Sequence, residues 1–209
     1  DGSAGWSDAG VFIPYDIYKQ YGDVVILEKN FPQMARYAEY KIGTLGKFYF
    51  PSRPTGISRR YRKQISNYGQ SYGEWAEPAD VKDFAVSEFI FPHPEETTAY
   101  IALLMDRMQE IAAILGRADD AARYADVAAR VREGYQNLMT VPKFSLDTDR
   151  QAKLVRPLHL KMLNKQQTKY AQKRLLKALD NYGWRLGTGF LSTPFILDVL
   201  TEMDVEYAY

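Results

Sequence analysis

The chain has 209 residues, 46% hydrophobic and 14% aromatic, with 27 basic and 26 acidic side chains and a net charge of +1. That content supports a sizeable core and excludes wholesale disorder, and the charge balance argues against a dedicated nucleic-acid binder. With no cysteine, disulfide frameworks, Cys zinc sites and thiol nucleophiles are excluded. No apolar run approaches the roughly 18 residues that crossing a membrane needs.

The opening Asp1-Gly2-Ser3-Ala4-Gly5-Trp6 has no initiator Met and no signal-peptide pattern. The closing Asp204–Tyr209 reads as the first turns of a helix without a C-terminal cap. Both ends read as cuts, so a piece of a longer protein is expected and the compartment stays open.

Between the ends nearly every periodic segment is helical. Val11, Phe12, Tyr15 and Tyr18 repeat near 3.6 residues and predict a helix from Asp8 to Tyr21, with Pro14 tolerable only in a first turn. Gly22-Asp23 breaks and re-caps the chain. A short helix over 24–30 and a longer one over 31–42 are expected, separated by Pro32. Residues 43–92 carry Pro51, Pro54, Pro78 and Pro92, many glycines and no sustained period. A loop this long is usually functional or disordered, and its aromatic content argues against disorder.

The second half is clearer. Tyr100, Leu103, Leu104, Met108, Ile111 and Leu115 predict an amphipathic helix from Glu95 to Leu115, closed by Gly116. Asp119 is expected to cap the next, which runs to about Leu138. A helix from about Arg150 to Leu163 follows. Asn164 with Gln167 gives a capping-box start for a helix ending near Gly183. Thr193-Pro194 opens a last helix to about Met203. Seven or eight helices and no recurring strand pattern leave two all-α architectures. One is an (α/α) toroid with its site on long loops at one face. The other is a helical-repeat solenoid, although no 34-residue spacing repeats.

Three segments bring aromatic rings, glycines and acids together, a mixture that suits the apolar faces and hydroxyls of sugars. A Tyr-rich core explains the same composition. In Asp1–Asp8, two carboxylates flank a small-residue turn bearing Trp6; a plain loop with Asp8 as N-cap explains it equally. Tyr68–Pro78 packs Glu74, Glu77, Trp75 and two tyrosines into eleven residues; a solvated turn with packed aromatics is the plain alternative. In Asn181–Pro194, three glycines and the pair Trp184-Arg185 precede a helix start. No phosphate-binding fingerprint is present, so a pocket-lining helix–helix loop is expected. Arg59-Arg60-Tyr61-Arg62-Lys63 reads either as a non-specific RNA contact or as a solvated loop. His93 and His159 lie far apart without metal-ligand spacing, so no metal and no cofactor is expected.

Taken together, Gly5-Trp6-Ser7-Asp8-Ala9 with Tyr21-Gly22-Asp23, Gly73-Glu74-Trp75-Ala76-Glu77-Pro78, the Ile111–Tyr124 hairpin and Gly187–Pro194 resemble, in order and spacing, the catalytic domain of bacterial α-L-rhamnosidases, glycoside hydrolase family 78. The resemblance implies an (α/α)6 barrel of six helical hairpins, here incomplete at both ends. Residues 1–209 would be one helical catalytic-domain fragment, with the irregular active-site loop at about 43–92. It also implies hydrolysis of terminal α-L-rhamnosides with inversion, by a carboxylic acid and a carboxylate base about 6.5–9.5 Å apart. Counting back seven from Asp8 gives Asp1 as candidate acid, where many members have Glu. Counting back four from Trp6 gives Gly2, which has no side chain to act. The base would lie beyond this chain. Asp8, Glu74 and Glu77 would hold sugar hydroxyls, and Trp6, Trp75 and Trp184 would form apolar walls. The implied partners are a rhamnoside-containing glycoside and the missing parts of the parent chain, with no nucleic acid and no membrane. A carbohydrate-binding toroid without turnover and a helical scaffold for protein partners remain the alternatives.

Overall fold

A computed structural model of the chain describes residues 2–49, 54–69, 72–80 and 93–208. All regular structure among them is helical. The elements are α1 (Ala9–Tyr21), α2 (Val24–Ile42), the single turn α3 (Arg59–Arg62), α4 (Pro94–Ile114), α5 (Ala118–Leu138), α6 (Gln151–His159), α7 (Lys165–Asn181) and α8 (Thr193–Met203), with 3₁₀ turns at Pro142–Phe144 and Val205–Ala208.

Hydrophobic patterning sorts the helices into two layers. α4 is apolar on nearly every side and buries Ala99, Ile101, Leu104, Met105 and Met108. A helix that is hydrophobic all round belongs inside. The short α6 is likewise buried along most of its length. By contrast, α5 buries one stripe, Tyr124, Val127, Val131, Tyr135 and Leu138, at three- and four-residue spacing, and α7 buries Ala171, Leu175 and Leu179. These are outer helices with a solvated back. α1 pairs with α2, α4 with α5 and α6 with α7, while α1 also meets α4 and α6 meets α8. Alternating inner and outer helices make an arc of an (α/α) toroid, as expected.

Local chemistry sets the boundaries. Asn164 Oδ1 accepts from the Gln167 N–H at 3.0 Å and the Gln167 side chain returns to the Asn164 N–H, so the capping box forms. Asp23 caps α2 through the Val25 N–H at 2.9 Å. Three expectations fail. Residues 24–42 form one helix rather than two, because Pro32 and Glu28, whose carbonyl loses its partner, are both exposed and water can take the bond. Pro14 sits in the second turn of α1 on the same terms, with Gly10 exposed. Asp119 also lies in the first turn of α5 rather than at its cap, which Arg117 occupies.

Candidate active site

The inner helices α1, α4, α6 and α8 bring their N-terminal ends to one end of the arc. There the irregular segments 2–8, 66–80 and 187–192 meet. Gly5 lies against Tyr100 of α4 and Leu191, and the Tyr100 hydroxyl reaches the Leu191 carbonyl at 3.4 Å. Ser66 and Thr98 exchange bonds at 3.2 Å, which ties the incoming loop to the first turns of α4.

The first segment is organised by Asp8, which is fully buried. One carboxylate oxygen accepts the Gly5 N–H at 2.7 Å and the other the Tyr37 hydroxyl at 2.8 Å. Burial pushes the Asp8 carboxyl above its ordinary range, opposed by Lys41, the Gly5 N–H and Tyr37. Burial likewise pushes the Lys41 ammonium down, opposed by Asp8. Lys41, wholly inside α2, donates to the Gly2 carbonyl at 2.8 Å. Asp8 therefore closes the turn that presents Trp6, and Lys41 holds the segment before it. Asp1 lies outside the described residues.

The second and third segments are joined through Glu74. Its Oε1 accepts the backbone N–H groups of Gly189 (3.1 Å) and Ser192 (2.7 Å). Its Oε2 accepts the Ser192 hydroxyl (2.8 Å) and an Arg156 Nη2–H (2.5 Å). Four donors fill a carboxylate's capacity. Arg156 also faces Glu96 at 3.7 Å. Burial would lower the Arg156 pKa, but Glu74 and Glu96 outweigh it and hold the guanidinium charged. Glu77 is gripped by Arg150, whose Nε–H reaches both carboxylate oxygens at 2.8 and 3.0 Å and whose Nη2–H reaches Oε2 at 2.5 Å. Glu74 and Glu77 thus turn inward, with side chains 1% and 0% exposed. Between these loops the Phe190 N–H donates to the Trp75 carbonyl at 2.8 Å.

The sequence reading missed the cations that receive these acids. The signal was present, because Arg150, Lys153 and Arg156 recur every third residue, from the N-cap of α6 into its second turn. It also passed over Glu95 and Glu96 as ordinary members of an amphipathic helix. Both are buried in the first turn of α4, where the helix dipole favours negative charge. Lys153 lies 3.6 Å from Glu95 Oε1, and Glu95 Oε2 has no hydrogen-bond partner.

Burial alone would raise the Glu95 pKa. Lys153, His93, the helix N-terminal amide and Arg156 outweigh it and bring it down to about 2. A folded-state pKa below the unfolded one contributes stability that is present above the unfolded pKa and is lost as pH falls toward the folded one. Glu95→Gln is therefore expected to flatten the acid limb of urea-unfolding stability. The wild type should lose about 3 kcal/mol more than the variant between pH 6 and pH 2. Identical acid limbs would refute this.

What remains for a ligand is aromatic. Trp6 packs edge-on to Tyr72 (5.8 Å between centroids) and against Phe190 (6.0 Å), and its buried indole N–H has no partner. Trp75 is 47% exposed and Phe190 63%. A cleft of about 300 Å³ runs between α1, α4, α6 and α8, lined by Gly5, Phe12, Tyr100, His159 and Phe190 among others. Trp184 does not join this group; its ring neighbour is Tyr207 at 6.3 Å. The third segment contributes Phe190 instead. No cluster of potential metal ligands occurs among the described residues.

Sequence and structure comparisons agree with one another. A family profile described as the bacterial alpha-L-rhamnosidase 6 hairpin glycosidase domain matches residues 1–209. An alpha-L-rhamnosidase of Streptomyces avermitilis is 30% identical over 210 residues, covering 99% of this chain and 18% of that protein. A crystal structure of the Streptomyces avermitilis alpha-L-rhamnosidase complexed with L-rhamnose superposes with a TM-score of 0.71 at 29% identity, over 99% of this chain and 17% of that one. The alpha-L-rhamnosidase of Dictyoglumus thermophilum shares the fold, with a TM-score of 0.76 at 22% identity over 99% of this chain and 21% of that one. The chain thus spans about a fifth of the length of the relatives it matches.

Proposed function

Because the chain belongs to the bacterial α-L-rhamnosidase six-hairpin glycosidase domain family, we propose that it builds one wall of a site that hydrolyses terminal α-L-rhamnosides with inversion. The observation that carries this reading is the exposed Tyr72 and Phe190 rings packed on Trp6, with the exposed Trp75 on the adjoining loop that a saturated Glu74 locks in place. Aromatic faces bury the C–H side of a sugar ring, and they need rigid backing to do so at low entropic cost. Asp8 shapes the turn under Trp6, while Glu74 and Glu77 act through the loops they hold rather than by touching the sugar. Trp184 contributes at most to the rim.

Inversion needs a protonated acid and an ionised base on opposite sides of the anomeric carbon. Asp8, Glu74 and Glu77 are all engaged, so the pair comes from other carboxylates. Asp1, next to the anchored Gly2, is the candidate acid, and the base lies outside these 209 residues.

Hydrolysis of a chromogenic α-L-rhamnoside by the full-length protein tests the reading. Trp75→Ala is expected to raise KM about tenfold, the equivalent of one lost aromatic stacking contact, with a smaller change in kcat. Asp1→Asn should abolish turnover; full activity there removes Asp1 from that role and leaves the family reading standing. Rhamnose binding without turnover by the wild type would favour a carbohydrate-binding toroid instead.

A further inference from the structure

Among the described residues, three that are not glycine hold left-handed backbone: Ala76 (φ 63°), Lys161 (φ 52°) and Trp184 (φ 56°). Two of them finish helices. The Met162 N–H, just after Lys161, returns to the Pro157 carbonyl at 3.0 Å, and the Trp184 N–H returns to the Leu179 carbonyl at 2.8 Å. These six-to-one bonds close α6 and α7 in the ordinary way. Ala76 ends no helix. It lies in an irregular turn between Trp75 and Glu77, where left-handed backbone is unfavourable for alanine and persists only if the surroundings impose it.

The surroundings impose it from both sides. The Trp75 N–H donates to the Gly73 carbonyl at 3.0 Å, and the Trp75 carbonyl accepts the Phe190 N–H at 2.8 Å. Beyond Ala76, the Glu77 carboxylate is gripped by the Arg150 Nε–H at 2.8 and 3.0 Å. The consequence is one of facing. Side chains alternate along an extended run, so an inward Glu74 would send Trp75 out, residue 76 in and Glu77 out. The left-handed residue breaks that alternation. Glu74 and Glu77 are both buried, while Trp75 and Ala76 are both exposed.

We propose that Ala76 is a positioning residue for saccharide binding: its left-handed backbone, clamped from both sides, faces Trp75 toward the ligand while Glu77 stays in the grip of Arg150. The inference rests on the rhamnoside reading and names the main-chain position that sets the direction of Trp75. Ala76 acts without touching the sugar. Because it is exposed, a larger side chain fits there, and backbone preference decides which residues are tolerated. A β-branched residue is a genuine outlier in left-handed backbone, whereas asparagine enters it several-fold more often than most residues. Valine and asparagine are similar in bulk, so the pair separates backbone preference from size.

The test compares Ala76→Val, Ala76→Asn and Ala76→Gly in the full-length protein. Ala76→Val is expected to raise KM for a chromogenic α-L-rhamnoside about tenfold with kcat little changed, as loss of the Trp75 contact would. Ala76→Asn should recover most of that loss. Amide exchange at Phe190, whose N–H is held by the Trp75 carbonyl, should speed about tenfold in the valine variant and stay near wild type in the asparagine one. Ala76→Gly keeps the protein foldable whatever valine does. Glycine ordinarily lowers Tm by loosening the unfolded chain, but here it also relieves the left-handed backbone, so Tm should hold or rise. Equal KM for the valine and asparagine variants, Phe190 exchange in the valine variant no faster than in wild type, or a Tm several degrees lower in Ala76→Gly would overturn the proposal. A wild type that turns over no α-L-rhamnoside fails the rhamnoside reading instead, and exchange and melting still score the turn.

Discussion

Arg156→Met is expected to cost the folded chain about 3–5 kcal/mol, the range for removing one partner of a buried ion pair. Methionine fills most of the volume, so the loss is one of charge rather than of packing. It leaves Glu74 and Glu96, whose side chains are 1% and 3% exposed, with no guanidinium between them. Urea unfolding at neutral pH checks the size. A loss below about 1 kcal/mol would show that Arg156 is replaceable.

Gly189→Ala carries the second large effect. A methyl group there would sit 2.2 Å from the Trp75 carbonyl and 3.0 Å from the Glu77 N–H, both backbone atoms that no rotamer change can move. Overpacking of this kind costs about 1–3 kcal/mol. Relief requires the 73–77 and 187–192 loops to part, which breaks the Phe190–Trp75 backbone bond and three of the four bonds to Glu74. Affinity for rhamnoside should fall about tenfold or more along with stability, because the aromatic wall loses its backing. Gly10→Ala is the control: its new methyl meets nothing within 4 Å on the exposed side of α1. That change should add roughly 0.5–1 kcal/mol to stability. If Gly189→Ala behaves like Gly10→Ala in a thermal melt, the two loops are not in the close contact described.

The helices were legible because each leaves a local signature. The Asn164–Gln167 box, the Asp23 cap and the apolar stripe of α5 need no knowledge of the rest of the chain. Pro32 misled because a proline's cost depends on whether water can reach the carbonyl it frees, which is a tertiary fact. The three site segments were also visible as unusual mixtures of Gly, aromatic and acid. Their geometry was not. Glu74 and Glu77 look the same in sequence whether they face a sugar or a guanidinium, and the choice is made by Arg150 and Arg156, more than seventy residues away. Trp184 and Phe190 sit six residues apart in one Gly-rich loop, and only the fold shows that Phe190 packs on Trp6 while Trp184 neighbours Tyr207.

That separation along the chain also sets an order of events. The α4–α5 hairpin closes over a turn of three residues and forms the most extensive helix pair of the arc. The Glu74–Ser192 latch joins positions 118 apart. Ring closure over so long a span must await hairpins that already bring its ends together. The aromatic mouth is thus the last part to assemble and the first to open, while the staves behind it persist as local cooperative units. Amide exchange should reveal two tiers, with Gly189 and Ser192 exchanging through partial opening well before the centre of α4 is released.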